Sequence, residues 1–211
     1  IIFLTCDAFG VLPPVSKLDL NSAMYHFISG YTAKIPGTED GVSEPIATFS
    51  ACYGEAFIVW HPLRYAELLV EKIKSQSNKG NDVDIWLVNT GWVGGDYNSK
   101  ESRRCPLSVT RQIVDSIHNG TLRNETFKTL PIFGLKYPTS IGSIGSIGSI
   151  GSNKRIETIE NIENILDPVN SWKDSKKYYD KLKYLATLFI KNFKKYNLED
   201  RTDILNAGPI L

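Results

Sequence analysis

The chain begins with an apolar run, Ile1–Thr5, that has the length and residue types of a buried β-strand and no turn or capping residue before it. An open edge on a buried strand promotes aggregation, so we expect the neighbours of this strand to lie before residue 1. Pro13 and Pro14 then force an extended loop. The opening therefore predicts a domain that is incomplete without upstream sequence.

Apolar periodicity predicts a mixed α/β domain. The strongest strand signal, D-V-D-I-W-L-V at 82–88, leads into the glycine-rich turn N-T-G-W-V-G-G. Residues 32–60 have the glycines, prolines and short apolar runs of a loop-rich segment with short strands. Four helices are predicted from capping residues and periodicity: from Asp19 or Asn21 to about Tyr31, from Pro62 onwards, over about 108–118 and over about 175–196.

A low-complexity insertion interrupts the pattern at about 141–164. Residues 141–152 are four tandem I-G-S triplets, and a polar run continues to Asn164. Twelve residues are too few for a solenoid, which stacks repeats of roughly 20 or more residues. Glycine and serine at two of every three positions favour a flexible loop.

Composition excludes several classes of protein. A formal net charge of +1 gives no reason to expect nucleic acid as a partner. No apolar run approaches the roughly 20 residues of a membrane-spanning helix, so no membrane partner is expected. The three cysteines form no C-x-x-C pair, and the three histidines are scattered, so no metal site is predicted within the chain. Unpaired cysteines favour a reducing compartment, and we expect a cytoplasmic protein.

A nucleotide-base site is suggested where the strongest strand ends. Ligands of open α/β sheets bind beyond the carboxyl ends of strands, and R-R-C-P-L-S-V-T-R follows that end closely. The flat guanidinium of Arg104 could cover a purine ring, while a main-chain group near Cys105 and the hydroxyl of Thr110 could read its polar edge. By pattern alone, a surface arginine and an ordinary helical threonine are the favoured interpretation.

Several stretches together have a more specific pattern. They are F-L-T-C-D-A-F-G-V-L-P-P-V-S-K-L (3–18), E-P-I-A-T-F-S-A-C-Y-G (44–54), L-V-N-T-G-W (87–92), the pairs Arg103-Arg104 and Thr110-Arg111, and L-D-P-V-N-S-W (166–172). In order and spacing the chain resembles the ATP-dependent phosphoenolpyruvate carboxykinases, over nearly its whole length except the insertion.

The resemblance implies a fold and an activity. The chain would be the C-terminal part of a carboxykinase-type nucleotide-binding domain, an α/β unit with a mixed sheet and flanking helices. The whole protein would convert oxaloacetate and ATP to phosphoenolpyruvate, ADP and carbon dioxide in gluconeogenesis, with the phosphate loop and the Mg²⁺ and Mn²⁺ ligands before residue 1. Arg104, Cys105 and Thr110 would contact the adenine, and Phe57 would line the substrate side of the cleft or belong to the core. The chain alone is predicted to be inactive.

The chain departs from the family pattern at two places. The loop D-Y-N-S-K-E-S at 96–102 is longer than the family's and has no glycine after Tyr97, and Asp40 stands where the family typically has arginine. Two other classes stay open: a non-catalytic adenine-nucleotide-binding relative, and an interaction protein built around the insertion and the basic last helix. An intact phosphate loop before residue 1 would favour the enzyme. The sequence does not fix an oligomeric state.

Overall fold

The computed structural model describes residues 1–36, 42–141 and 162–211 of the chain. Asp40 and residues 142–161 of the predicted insertion lie outside the described residues. A helix begins at Ile162, close to the predicted end of the insertion, and the bounds of the insertion stay a prediction. The helix residues Ile165 and Leu166 are buried in the core, which explains why this polar-looking stretch is ordered.

The described strands are β1 (Ile2–Thr5), β2 (Val15–Leu18), β3 (Tyr31–Lys34), β4 (Ile46–Phe49), β5 (Ile85–Asn89), β6 (Trp92–Val93), β7 (Arg103–Arg104), β8 (Phe127–Thr129) and β9 (Lys136–Pro138). The described α-helices are α1 (Leu20–Ser29), α2 (Pro62–Ser77), α3 (Leu107–His118), α4 (Ile162–Leu166), α5 (Pro168–Ser171), α6 (Ser175–Phe193) and α7 (Thr202–Leu205). Short 3-10 segments span Ala51–Tyr53, Glu55–Phe57, Thr121–Asn124 and Lys194–Tyr196.

A mixed five-stranded sheet confirms the predicted fold class. Its order is β1-β5-β2-β9-β8, with β1 and β5 parallel and the other pairs antiparallel. We expected the neighbouring strands of β1 to precede residue 1. This is wrong for one neighbour, β5, which lies far downstream in the chain. All five residues of β5 are buried, because β5 lies between β1 and β2 and both of its faces are covered by a core.

Helix and strand ends differ from the prediction where backbone geometry decides them. Asp19 caps α1 through a capping box with Ser22, as one of the two predicted caps. Gly30 ends α1 before Tyr31, because it adopts a left-handed conformation with φ 51° and its N–H bonds to the His26 carbonyl. The strand predicted at 82–88 is β5, which begins later, at Ile85.

Two hydrophobic cores lie on opposite faces of the sheet, because side chains alternate along β5. Ile85 and Leu87 point into a large core with α1, α2 and α6. Trp86 and Val88 point into a smaller core with α3. The sheet is thus the middle of three layers. The parallel strands β1 and β5 therefore end between the helices that cover one face of the sheet and the helix that covers the other.

Candidate functional site

The carboxyl ends of the parallel strands β1 and β5 meet at one edge of the sheet. Thr90, the residue after β5, donates its N–H to the carbonyl of Thr5 at 3.0 Å, so the two strands leave the sheet side by side. Open α/β sheets bind ligands at such an edge. The loops that follow, 6–14 and 90–105, therefore form the candidate site.

A buried carboxylate organises the first loop. Asp7 is fully buried and accepts hydrogen bonds from the N–H groups of Phe9, Val11 and Leu12, at 2.9, 2.8 and 3.0 Å, and from the Tyr31 hydroxyl at 2.9 Å. Burial raises the pKa of the Asp7 carboxyl, and these hydrogen bonds oppose that shift. Four donors converging on one side chain fix the path of the loop.

A buried amide connects this loop to the second one. The Asn89 Oδ1 atom accepts from the N–H groups of Asp7 and Gly91, both at 2.9 Å, and its Nδ2 donates to the Leu12 carbonyl at 3.0 Å. The approach is so close that a Cβ on Gly91 would lie 2.1 Å from the Asp7 carbonyl oxygen. We call Asp7, Asn89 and their hydrogen bonds the Asp7–Asn89 network.

Arg104 lies over the second loop. It pairs with Trp92 across the β6–β7 ribbon, and its guanidinium carbon is 5.4 Å from the centroid of that ring. Its Nε donates to the Thr90 carbonyl at 3.1 Å, and one terminal nitrogen is 3.7 Å from the Cys6 Sγ. The side chain is nevertheless exposed, so the guanidinium is held in place and open to a ligand.

Cys105 and Thr110 lie beside this arginine. The Cys105 N–H donates to the Gly91 carbonyl at 2.7 Å, and the Thr110 hydroxyl is 3.9 Å from the Cys105 Sγ. Burial raises the pKa of the Cys105 thiol, and burial likewise raises that of Cys6 against the opposing charge of Arg104. Both sulfurs are therefore thiols at neutral pH, which makes them poor nucleophiles.

The longer loop at 96–102 is attached to its surroundings. Asp96 pairs with Lys181 at 2.9 Å, and the Tyr97 N–H donates to the Ala8 carbonyl at 2.8 Å. The Tyr97 ring lies edge-on to Trp92, with 5.2 Å between the ring centroids. This loop therefore supports the ring beneath Arg104.

The structure brings together three of the four predicted site residues. Arg104, Cys105 and Thr110 form one cluster, whereas Phe57 lies in a 3-10 turn and is 89% exposed. A core position for Phe57 is therefore wrong, and a role at the substrate side of the cleft stays a prediction. Sequence reasoning assigned no role to Trp92, although the G-W dipeptide marked an aromatic residue next to the strand end.

The described residues contain no group of three or more histidine, cysteine, aspartate or glutamate side chains arranged to hold a metal ion. Among the described helices, none is both long enough and apolar enough to cross a bilayer. The position of the metal ligands before residue 1 stays a prediction, and so does the cytoplasmic location of the protein.

Comparison with known proteins agrees with the resemblance seen in the sequence. The family model of phosphoenolpyruvate carboxykinase matches residues 1–146. Phosphoenolpyruvate carboxykinase (ATP) of Dictyostelium discoideum is 46% identical over 211 residues, all of this chain and 33% of that protein. Phosphoenolpyruvate carboxykinase (ATP) 1 of Arabidopsis thaliana is 50% identical, over 100% of this chain and 29% of its own length, and the Saccharomyces cerevisiae protein is 47% identical, over 99% and 34%. The chain thus spans about a third of the length of the curated relatives it matches.

Proposed function

Because this chain belongs to the phosphoenolpyruvate carboxykinase family, we propose that it supplies the adenine side of an ATP site. The protein containing it converts oxaloacetate and ATP to phosphoenolpyruvate, ADP and carbon dioxide, in the cytoplasm and in gluconeogenesis. The observation that carries this proposal is the exposed Arg104 guanidinium, fixed at the carboxyl ends of the parallel strands by Thr90 and Trp92.

The cluster offers groups that complement a purine. Trp92 lies against the Arg104 guanidinium, which leaves the exposed side of the guanidinium for an adenine ring. The Cys105 N–H is engaged by Gly91, so the main-chain group that reads the base is the Cys105 carbonyl, which accepts from the exocyclic amine of adenine. The Thr110 hydroxyl has only a long contact to sulfur and is free to turn towards a ring nitrogen.

The phosphates and the chemistry need groups beyond this cluster. Transfer of a phosphoryl group to an enolate requires divalent cations, which screen the charge of the phosphates and stabilise the enolate. The residues described here contain no such ligand group. We assign the Mg²⁺ and Mn²⁺ ligands, the phosphate loop and the oxaloacetate-binding arginines to the part of the protein outside this chain.

The test is an assay of the purified full-length protein. Phosphoenolpyruvate should form only when oxaloacetate, ATP and divalent metal are all present, and the isolated chain 1–211 should form none. Tight ATP binding by the full-length protein without phosphoenolpyruvate formation would instead identify a non-catalytic nucleotide-binding relative. Turnover by the isolated chain would contradict the assignment of the chemistry to the rest of the protein.

A further inference from the structure

The polar contacts of the Arg104 guanidinium with described residues go to neutral acceptors. Its Nε donates to the Thr90 carbonyl at 3.1 Å, and one terminal nitrogen lies 3.7 Å from the Cys6 Sγ, which is a weak acceptor. Two such contacts fix two points of the planar group, so the tilt of its plane needs a further restraint. The side chain is exposed, and neither the strand nor the helix beside it covers the group.

Trp92 supplies a flat surface against that plane. The two residues are directly opposite each other on β6 and β7, where side chains of an antiparallel pair are close neighbours. The guanidinium carbon of Arg104 lies 5.4 Å from the centroid of the indole ring, within the roughly 6 Å over which a cation is attracted to an aromatic face. Contact with the ring restrains the tilt of the guanidinium and leaves its other side open.

Trp92 is itself held at its backbone and at its ring. Its N–H donates to the Asp7 carbonyl at 2.8 Å, which ties it to the Asp7–Asn89 network. The Tyr97 ring lies edge-on to the indole, with 5.2 Å between the ring centroids, and the Tyr97 N–H donates to the Ala8 carbonyl at 2.8 Å. The restraints on Arg104 therefore run from the first loop through Tyr97 and Trp92, and Trp92 makes the last contact.

We propose that Trp92 is a positioning residue of the ATP site, whose ring holds the plane of the Arg104 guanidinium in the orientation that receives the adenine. This role rests on the proposed function, because it requires that Arg104 contact the base. Trp92 acts through Arg104 and does not touch the nucleotide, since the guanidinium lies between the two ring systems. Without the indole, the long arginine side chain must be ordered when ATP binds, and ordering such a side chain lowers affinity.

The experiment is steady-state kinetics of Trp92→Leu and Trp92→Phe in the full-length protein, over a range of ATP and, separately, of oxaloacetate. Trp92→Leu keeps an apolar side chain but removes the aromatic face, and should raise the KM for ATP about 2- to 10-fold. The KM for oxaloacetate and the turnover at saturating ATP should keep their parent values. Trp92→Phe retains an aromatic face and should recover most of the ATP affinity. A fall in turnover with an unchanged KM for ATP in both variants would overturn the proposal.

A double variant tests whether Trp92 acts through Arg104. Arg104→Ala removes the group that the ring orients, so adding Trp92→Leu to it should not raise the KM for ATP further. If Trp92→Leu raises this KM by the same factor with and without Arg104, the ring acts independently of the guanidinium and the positioning role is refuted.

The outcomes distinguish failure of this role from failure of the proposed function. If Arg104→Ala raises the KM for ATP and folded Trp92→Leu does not, the adenine site stands and only the role of Trp92 is refuted. An unchanged KM for ATP in Arg104→Ala refutes both, whatever Trp92→Leu does.

A milder variant keeps the test decisive if the melting temperature shows that Trp92→Leu is unfolded. Tyr97→Leu removes the ring edge beside Trp92 and keeps the main-chain bond to Ala8, so it should raise the KM for ATP about twofold, and only when Arg104 is present. Tyr179→Leu is the matched control, because this exposed tyrosine of α6 has its ring contact with Tyr178, and its KM for ATP should equal that of the parent. An unchanged KM in folded Tyr97→Leu, with Trp92→Leu unfolded, would overturn the proposal.

Discussion

Two regions of this chain carry residues that the family resemblance assigns to a ligand site, and they are built in opposite ways. The loops after β1 and β5 rest on the Asp7–Asn89 network, whose two polar side chains are at most 2% exposed. The 50–60 segment instead presents Phe57, Val59 and Trp60 outward, with exposed fractions of 89%, 87% and 60%.

An unusual backbone conformation shapes the 50–60 segment, while Ala51 and Ile58 attach it to the large core. Cys52 and Tyr53 both have left-handed φ values, 56° and 58°, which are uncommon for residues other than glycine. The segment is attached to the end of α1, where the Ser50 N–H donates to the Gly30 carbonyl at 3.1 Å. The side chain of Arg104 is therefore held in position by contacts within this chain, whereas the side chain of Phe57 is left exposed by it.

Removing the carboxylate of the network should have the largest effect. Asp7→Leu leaves three N–H groups and the Tyr31 hydroxyl without their acceptor in a dry site, and should lower the free energy of unfolding by about 3–5 kcal/mol. Phe57→Ala, in the exposed region, should change it by less than about 0.5 kcal/mol. Urea unfolding of the full-length protein measures both, and similar losses in the two variants would refute the contrast.

The second-largest effect should be an acid-induced loss of stability that arises in α1, the helix to which the 50–60 segment is attached. His26 in α1 is fully buried among aromatic rings, and burial lowers its pKa to about 4. In the unfolded chain this histidine has an ordinary pKa of about 6.5, so the unfolded state binds the proton more readily than the folded state. The free energy of unfolding is therefore at its full value above pH 6.5 and falls as the pH drops towards 4. The loss should amount to about 3 kcal/mol between pH 7 and pH 4.

The variant His26→Leu isolates this contribution from other titrating groups. Its urea midpoint should fall less between pH 7 and pH 4 than that of the parent protein, while His118→Gln, at an exposed helix end, should fall as the parent does. Parallel pH profiles for the parent and His26→Leu would show that His26 titrates normally.

A pair of glycines compares the two regions directly. A Cβ at Gly91 would meet the Asp7 carbonyl oxygen at 2.1 Å, whereas one at Gly54 would meet no atom nearer than 3.9 Å. Gly91→Ala should therefore destabilise the protein by about 1–3 kcal/mol more than Gly54→Ala, because backbone must move to admit the methyl group. Equal thermal shifts in the two variants would mean that the loops are less closely packed than their hydrogen bonds require.

The sequence predicted the parts of the fold that depend on local pattern. Asp19 caps one predicted helix and Pro62 begins another, and the helix predicted over about 175–196 is α6, whose buried residues lie in the large core. It did not predict that β1 pairs with β5, because a parallel pair is joined through a distant segment and leaves no local signal. The short β6–β7 ribbon was also missed, since two-residue strands carry no periodicity.

The candidate site was predictable only in part. Arg104, Cys105 and Thr110 were suggested by their place after the strand end and assigned by the family resemblance, and the structure places them together. The roles of Asp7 and Asn89 could not be read from the chain, because a buried aspartate beside a strand looks the same as an exposed one until its hydrogen-bond donors are known. The same holds for Trp92, whose contact with Arg104 depends on the pairing of β6 with β7.

The most direct test of the central claim is the ATP dependence of turnover in Arg104→Ala, measured separately from its oxaloacetate dependence in the full-length protein. Loss of the stacked cation should raise the KM for ATP roughly 2- to 30-fold and leave the KM for oxaloacetate unchanged.

Companion variants sharpen this test. Thr110→Val should weaken ATP binding by about 0.5–1.5 kcal/mol, and Arg104→Lys should recover only part of the ATP affinity that Arg104→Ala loses. Arg103→Ala, the neighbouring exposed arginine opposite Val93, should behave like the parent protein. An unchanged KM for ATP in both Arg104→Ala and Thr110→Val would place the adenine elsewhere and contradict the account.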